Sequence, residues 1–252
     1  MNKIISGKSI VKTYGKGQEE AIVLNNVDIE ISEGEFVAVM GPSGCGKSTL
    51  LFALSGTDTI NSGEVKFDGQ MLSKLSENEL SDIRRTRMGF VFQQPTMLKN
   101  LNILDNVILS SLQENKKNYK NIIEKAKKLL KDTGISEQED RDITAVSGGQ
   151  LQRAGICRAL MNDPEILFAD EPTGALNSKT SEDIMDIFST INKNGTAVML
   201  VTHDAKVASR AERVLFMKDG KIESQLFLGE FDKDDIKNRM NQIALKMRDY
   251  VI

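Results

Sequence analysis

The 252-residue chain contains one histidine, two cysteines, four prolines and no tryptophan. It has no apolar run approaching the roughly 18 residues that a membrane-spanning helix requires. With only Cys45 and Cys157, a disulfide framework is not expected, and a reducing compartment fits. The first residues, MNKIISGKSI, include neither an apolar segment nor a cleavage site of a secretory signal. Positive charge is not in excess: 33 Lys and Arg against 36 Asp and Glu give a net charge of −3. Such a balance supplies no basic field for nucleic acid. No internal repeat or low-complexity linker interrupts the chain. These absences lead to the expectation of a soluble intracellular protein, long enough for one large domain or a domain with a subdomain.

Four short apolar runs are present, FVAVM (36–40), MGFVF (88–92), EILFA (165–169) and TAVMLV (196–201). Helical patterns lie between them, so an α/β fold with a largely parallel sheet, covered on both faces, is expected. The segments GKSIVKTY, AIVLNNVDIEIS and GEVKFDG make the first third β-rich, and an N-terminal antiparallel β subdomain follows from them. Among the helices, KSTLLFALSG closes at Gly56, and a Ser76/Glu79 capping box precedes a helix carrying Leu80 and Ile83. Residues 96–146 read as helical, with Tyr119, Ile122, Ile123, Ala126, Leu129 and Leu130 at helical spacing. Ile184, Ile187, Phe188 and Ile191 form another helix face, stopped at Gly195. Lysines 116, 117, 120, 125, 127, 128 and 131 crowd the insert as a solvated face or a contact for anionic lipid headgroups. A last helix over 231–252 carries acidic residues in its first turn and Lys246 and Arg248 in its last. Its stripe of Ile236, Met240, Ile243 and Met247 packs on its own domain or on a second subunit.

Three stretches carry chemistry. GPSGCGKST (Gly41, Pro42, Ser43, Gly44, Cys45, Gly46, Lys47, Ser48, Thr49) follows an apolar strand and opens a helix. Glycines let backbone N–H groups turn toward a polyphosphate, Lys47 reaches the β and γ phosphates, and Ser48 is a Mg²⁺ ligand. By chance the pattern arises in on the order of one chain in a hundred, and the flanking strand and helix are not part of that chance. In ILFADE (166–171) two carboxylates end an apolar strand. Beside a phosphate loop, Asp170 holds Mg²⁺ and Glu171 orients or deprotonates the attacking water. In VSGGQLQRAGICRAL, residues Ser147, Gly148, Gly149 and Gln150 open a helix, giving either an anion site or a plain serine cap with flexible glycines.

The S-G-G-Q motif, with Q-R after it and the acidic strand end beyond, resembles the ATP-binding-cassette (ABC) family, the ATPase subunits of ABC transporters. The resemblance covers residues 3–226 and implies a P-loop NTPase (RecA-like) core with an inserted α-helical subdomain at about 96–160. It implies that Tyr14 stacks on adenine, that Gln93 contacts Mg²⁺ and senses the γ-phosphate, and that Ser147 to Gln150 bind the ATP of an opposite protomer. GALNSKT is similar to the D-loop, here Ala175, Leu176 and Asn177, with asparagine where the family usually has aspartate. Val146 likewise replaces the usual leucine. In such a sheet ligands lie outside the strand carboxyl ends, which places the lone histidine, His203, at the γ-phosphate as a switch residue beside Glu171. ATP and Mg²⁺ are the implied cofactors. A second copy of the chain and an integral-membrane permease are the implied partners, with no nucleic acid. LSENELSDIRRTRMGFVFQQPTMLKNLNILDNV and FADEPTGALNSKT resemble the branch serving macrolide export, lipoprotein release and antimicrobial-peptide resistance. Two other readings remain. One is a non-transport ABC ATPase acting on DNA or ribosomes, against which stands the spacing of about 100 residues between phosphate loop and signature. The other is an importer subunit.

Overall fold

The computed structural model describes residues 2–15, 17, 20–112 and 118–249. Strands β1 (Lys3–Tyr14) and β2 (Ala21–Ser32) pair antiparallel. The chain then leaves them for a second sheet through β3 (Phe36–Met40) and helix α1 (Lys47–Leu54). It returns with β4 (Ser62–Phe67) and β5 (Gln70–Met71), which completes a four-stranded sheet in the order β2-β1-β4-β5. This is the expected β subdomain. Helix α2 (Glu77–Thr86) starts at the Ser76/Glu79 capping box and leads to β6 (Met88–Phe92).

An insert of α3 (Ile103–Ile108), α4 (Tyr119–Asp132) and α5 (Gly148–Leu160) separates β6 from β7 (Ile166–Asp170). Then follow α6 (Ser178–Lys193), β8 (Ala197–Val201), α7 (Ala205–Ala208), β9 (Arg213–Lys218), β10 (Lys221–Phe227) and α8 (Ile236–Asp249). The second sheet has the order β10-β9-β3-β8-β7-β6. Its strands are parallel except for β10, which pairs antiparallel at the edge.

The apolar runs are continuous because both faces of this sheet are covered. Val37, Val39, Ile166, Phe168, Met199 and Val201 meet α1 and the antiparallel sheet. Their neighbours Phe36, Ala38, Leu167, Ala169, Val198 and Leu200 meet Ile184 and Phe188 of α6, Val207 of α7 and Ile243 of α8. Each fully buried side chain of this kind contributes about 1.5–3 kcal/mol, enough to hold strands only five residues long. The insert has a core of its own, in which Ile103, Val107, Ala126, Leu130, Ala154 and Cys157 meet. Burial pushes the Cys157 thiol up to about 12 and raises that of Cys45 as well, against the lowering effect of the Lys47 charge.

Some of the insert lysines are ion-paired at the surface. Lys125 pairs with Asp163 at 2.5 Å and Lys127 with Glu139 at 2.9 Å. Exposed pairs of this type contribute at most about 1 kcal/mol. Lys116 and Lys117 lie outside the described residues.

The C-terminal helix differs from expectation in its first turn. Asp232, Asp234 and Asp235 precede α8 rather than occupying that turn. The Asp232 carboxylate accepts from the backbone N–H of Asp234 at 2.9 Å, a local bond that competes with helix formation. The helix packs on its own domain, where Ile243 is fully buried. Its strongest anchor is a residue outside the apolar stripe. Arg239, 1% exposed, donates to the carbonyls of Ser209, Ala211, Leu228, Gly229 and Glu230 at 2.7–3.2 Å. Burial lowers the pKa of this guanidinium, and the carbonyls replace its water. Residues 250–252 lie outside the described part.

Candidate active site

Register brings four strand ends into one line. Val39 pairs with Val201, Val201 with Asp170, and Asp170 with Phe92. Just beyond this row come Gly41 and the phosphate loop, His203, Glu171 and Gln93. The histidine's strand lies between the phosphate-loop strand and the acidic strand, an order that sequence alone does not supply.

The phosphate loop is held from below and threaded by its own lysine. Gly46 takes φ +103°, and a Cβ there would lie 2.6 Å from the Val23 carbonyl oxygen, so only glycine fits. Cys45 and Gly46 are buried, while Pro42, Ser43 and Gly44 are exposed at the rim. Lys47, 7% exposed, donates from Nζ to the carbonyls of Gly41 at 2.9 Å and Pro42 at 2.8 Å. Its charge is thereby fixed inside the loop. Ser48 Oγ donates to Asp170 Oδ1 at 3.0 Å, joining residues 122 apart in the chain. Burial raises the pKa of Asp170, the Ser48 hydrogen bond opposes this, and the neighbouring Glu171 charge adds to it.

Glu171 adopts φ +47°, a left-handed conformation that costs a non-glycine residue about 1–3 kcal/mol. Its N–H donates to the Val201 carbonyl at 3.0 Å, which holds this backbone in place. The side chain meets His203, with Nδ1 and Oε1 3.0 Å apart. A carboxylate oxygen accepts, so Nδ1 carries the proton in this contact and Nε2 is left free. The His203 side chain is 67% exposed. It is no packing residue. Gln93 is exposed after β6 and approaches the same place. A Cβ built on Gly174 would lie 2.8 Å from Gln93 Nε2 and 3.2 Å from Glu171 Oε2. A hollow of about 210 Å³ runs from Glu171 and His203 past Gly174 and Leu176 to Ser181 and Arg210.

The structure brings Lys47, Ser48, Gln93, Asp170, Glu171 and His203 together, with Tyr14 to one side at the end of β1. The signature is elsewhere. Ser147 caps α5 by accepting from the Gln150 N–H at 3.3 Å, and the Gln150 side chain accepts from the Ser147 N–H at 2.8 Å. Gly149 is tight against α6, where a Cβ would lie 2.5 Å from Thr180 Cγ2. The hollow beside it is lined by Gly134, Ile135, Arg153 and Thr180, and by no residue of the phosphate loop. Ala175 is exposed and Leu176 half-buried.

A family model described as ABC transporter matches residues 24–174. The chain belongs to the ABC transporter family. As an ABC protein it is an ATPase that works with ATP and Mg²⁺ in a membrane transporter. It is 40% identical over 242 residues to the bacitracin export ATP-binding protein BceA of Halalkalibacterium halodurans, covering 94% of this chain and 95% of that one. Identity to the macrolide export ATP-binding/permease protein MacB of Pasteurella multocida is 44% over 223 residues, 87% of this chain. There the match spans only 34% of the relative, so the chain corresponds to about a third of that protein. The dimeric post-hydrolysis structure of the ATP-binding cassette MJ0796, bound to ADP and Pi, superposes with a TM-score of 0.84 at 40% identity, over 90% of this chain and 100% of that one. Among the described residues no helix is long and apolar enough to cross a membrane.

The site also depends on residues to which the sequence assigns no role. Gln152 of α5, 1% exposed, donates from Nε2 to the Phe92 carbonyl at 2.9 Å, and so ties the signature helix to the segment bearing Gln93. In the sequence it is the Q of the Q-R that follows S-G-G-Q, part of the family resemblance with no contact attached to it. Lys12 and Asp58 flank Tyr14 and carried no signal at all. Asn177, the D-loop departure, accepts from the Thr180 N–H at 3.0 Å as the N-cap of α6. Its oxygen serves its own helix. Aspartate accepts the same bond and adds a charge at the positive helix end, worth about 0.3–1 kcal/mol. Asn177→Asp is therefore expected to raise the melting temperature by about 1–4 °C. A lower melting temperature in a thermal scan would show that the amide donor is needed.

Proposed function

We propose that two copies of the chain close head-to-tail around two ATP molecules and thereby drive a separate integral-membrane permease. The observation that carries this reading is the division of the site. Lys47, Ser48, Asp170, Glu171 and His203 converge at one edge, while the signature at Ser147 to Gln150, exposed at Ser147 and Gly148, shares no hollow with the phosphate loop. A second chain completes each site. The loop N–H groups and Lys47 hold the phosphates, Tyr14 stacks on the base, and Glu171 takes a proton from the attacking water with His203 keeping its carboxylate in place. Gln93 reads whether the γ-phosphate is present.

Ser48 and Asp170 fit Mg²⁺. A hydroxyl and one carboxylate beside a phosphate loop make the oxygen set that this ion takes when phosphates and water supply the rest. Gln93 adds a further oxygen. Bound there, Mg²⁺ neutralises charge on the phosphate oxygens.

In this reading residues 3–226 form the ATP-binding domain, 96–160 its helical subdomain and 231–252 a C-terminal helix. The chain works at the cytoplasmic face of the membrane, held there by the permease and without nucleic acid. By similarity to the bacitracin and macrolide export proteins, the cargo is an antimicrobial peptide, a lipoprotein or a related amphiphile leaving the membrane. Purification of the tagged chain from detergent-solubilised membranes tests this. A permease in fixed ratio, with ATPase stimulated by an amphiphilic peptide antibiotic, is the expected result. Recovery with ribosomes or DNA, and no membrane protein, would overturn it.

A further inference from the structure

Tyr14 is the last residue of β1, and 44% of it is exposed. An aromatic so placed ordinarily samples several rotamers, yet here two side chains fix it. Its hydroxyl donates to Asp58 Oδ2 at 2.5 Å. Asp58 Oδ1 accepts from Lys12 Nζ at 2.7 Å, and the same ammonium donates to the Thr59 carbonyl at 2.6 Å. Lys12 Nζ also lies 4.8 Å from the centroid of the Tyr14 ring, within cation–π range. Lys12 is 6% exposed, an uncommon burial for a lysine, and is paired as such burial requires.

The charges agree with this geometry. Burial tends to raise the pKa of Asp58, but the Lys12 and Tyr14 hydrogen bonds outweigh it and hold the carboxyl below its ordinary value. The Asp58 hydrogen bond raises the Tyr14 phenol, keeping it a donor, while the Thr49 hydroxyl of the phosphate loop pulls the other way. Asp58 lies in the turn after α1, whose first turn carries Lys47 and Ser48. That turn is fixed in its own right, since the N–H groups of Thr57 and Asp58 both donate to the Phe52 carbonyl.

We propose that Asp58 and Lys12 are positioning residues that clamp the Tyr14 ring as a preorganised platform for the adenine base, set by the same helix that sets the phosphate loop. This rests on the reading of Tyr14 as the base-stacking residue. The ammonium lies over one ring face, and in this proposal the base takes the opposite one. A platform that is already ordered loses no rotamer freedom when the nucleotide arrives.

The test compares ATP with inorganic tripolyphosphate as ligands of the full chain with Mg²⁺, by calorimetry. Tripolyphosphate engages the phosphate loop and has no base. Base–aromatic stacking is worth about 5- to 100-fold in affinity, so Tyr14→Ala is expected to weaken ATP about tenfold or more and leave tripolyphosphate unchanged. Tyr14→Phe keeps the ring and loses only the bond to Asp58, and Asp58→Asn leaves the phenol without its carboxylate. Each is expected to weaken ATP about three- to tenfold, with no effect on tripolyphosphate. The double variant should be no worse than either single one, because both cut the same link. If Asp58→Asn does not fold, because Lys12 loses its partner, Tyr14→Phe alone carries the test. Equal losses for both ligands would show that Asp58 only supports the fold, and would overturn the clamp. Loss of ATP affinity in Tyr14→Ala, with Tyr14→Phe and Asp58→Asn unaffected, would overturn the clamp and leave the stacking role standing. An unaffected Tyr14→Ala would remove the stacking role and the clamp with it.

Discussion

Glu171→Gln is expected to lower the ATPase rate by about 10²–10⁴-fold while still binding ATP, because the substitution removes the proposed general base without changing its shape. Glutamine keeps an oxygen for the His203 ring and the same backbone, so the φ of +47° at this position is not disturbed. What is lost is proton-accepting capacity. In the proposed reading a negative charge is also removed from beside the γ-phosphate, and the ATP-bound dimer should persist. Size-exclusion chromatography with ATP and Mg²⁺ is expected to show a dimer, and single-turnover kinetics a slow chemical step. Turnover at the wild-type rate with a monomeric profile would rule out both the base assignment and the shared site.

His203→Ala is expected to reduce turnover by about 10²–10³-fold, the cost of losing one fixed polar partner of a reacting centre. The melting temperature should be nearly unchanged. The side chain is 67% exposed and fills no cavity, and surface truncations of this sort change stability by less than about 0.5 kcal/mol. A histidine that only supported packing would give the reverse pattern, with a lower melting temperature and full activity per folded molecule. Melting and steady-state rates measured on one preparation separate the two. The single contact at 3.0 Å between Nδ1 and Glu171 is the reason for the size of the effect, since without it the carboxylate is free to rotate away from the water.

Much of this site is legible in the sequence because its parts sit at strand ends. An apolar run that stops abruptly marks the carboxyl end of a parallel strand, and such ends share one edge of a doubly covered sheet. Asp170, Glu171 and His203 stand at such ends, while Gln93 is singled out by the family resemblance. Periodicity does not give strand order, so nothing in the sequence places β8 between β3 and β7 or fixes the row Val39, Val201, Asp170 and Phe92. Single polar residues buried by tertiary contacts were equally invisible. Lys12, Gln152 and Arg239 look like solvent-facing residues until the carbonyls and carboxylates that receive them are known. The aspartates before α8 mislead for a local reason, since a side-chain bond to the backbone delays the start of the helix by about a turn relative to what the charge pattern suggests. Asn177 shows a different limit. Comparison with a family pattern notes a missing charge, whereas the structure shows an oxygen already engaged as a helix cap.

The bond between Gln152 and the Phe92 carbonyl makes α5 a lever with a fulcrum. One arm is the short N-terminal end bearing Ser147 to Gln150, and the other runs back through Ala154 and Cys157 into the core of the insert. Any tilt of this rod either drags the end of β6, and Gln93 with it, or leaves a buried carbonyl and a buried amide unpaired. The second course costs about 1–3 kcal/mol for each abandoned group. Small rotations are thus geared to the strand end, and with the Arg158 bond to the Thr96 carbonyl α5 grips the segment that bears Gln93 at two points.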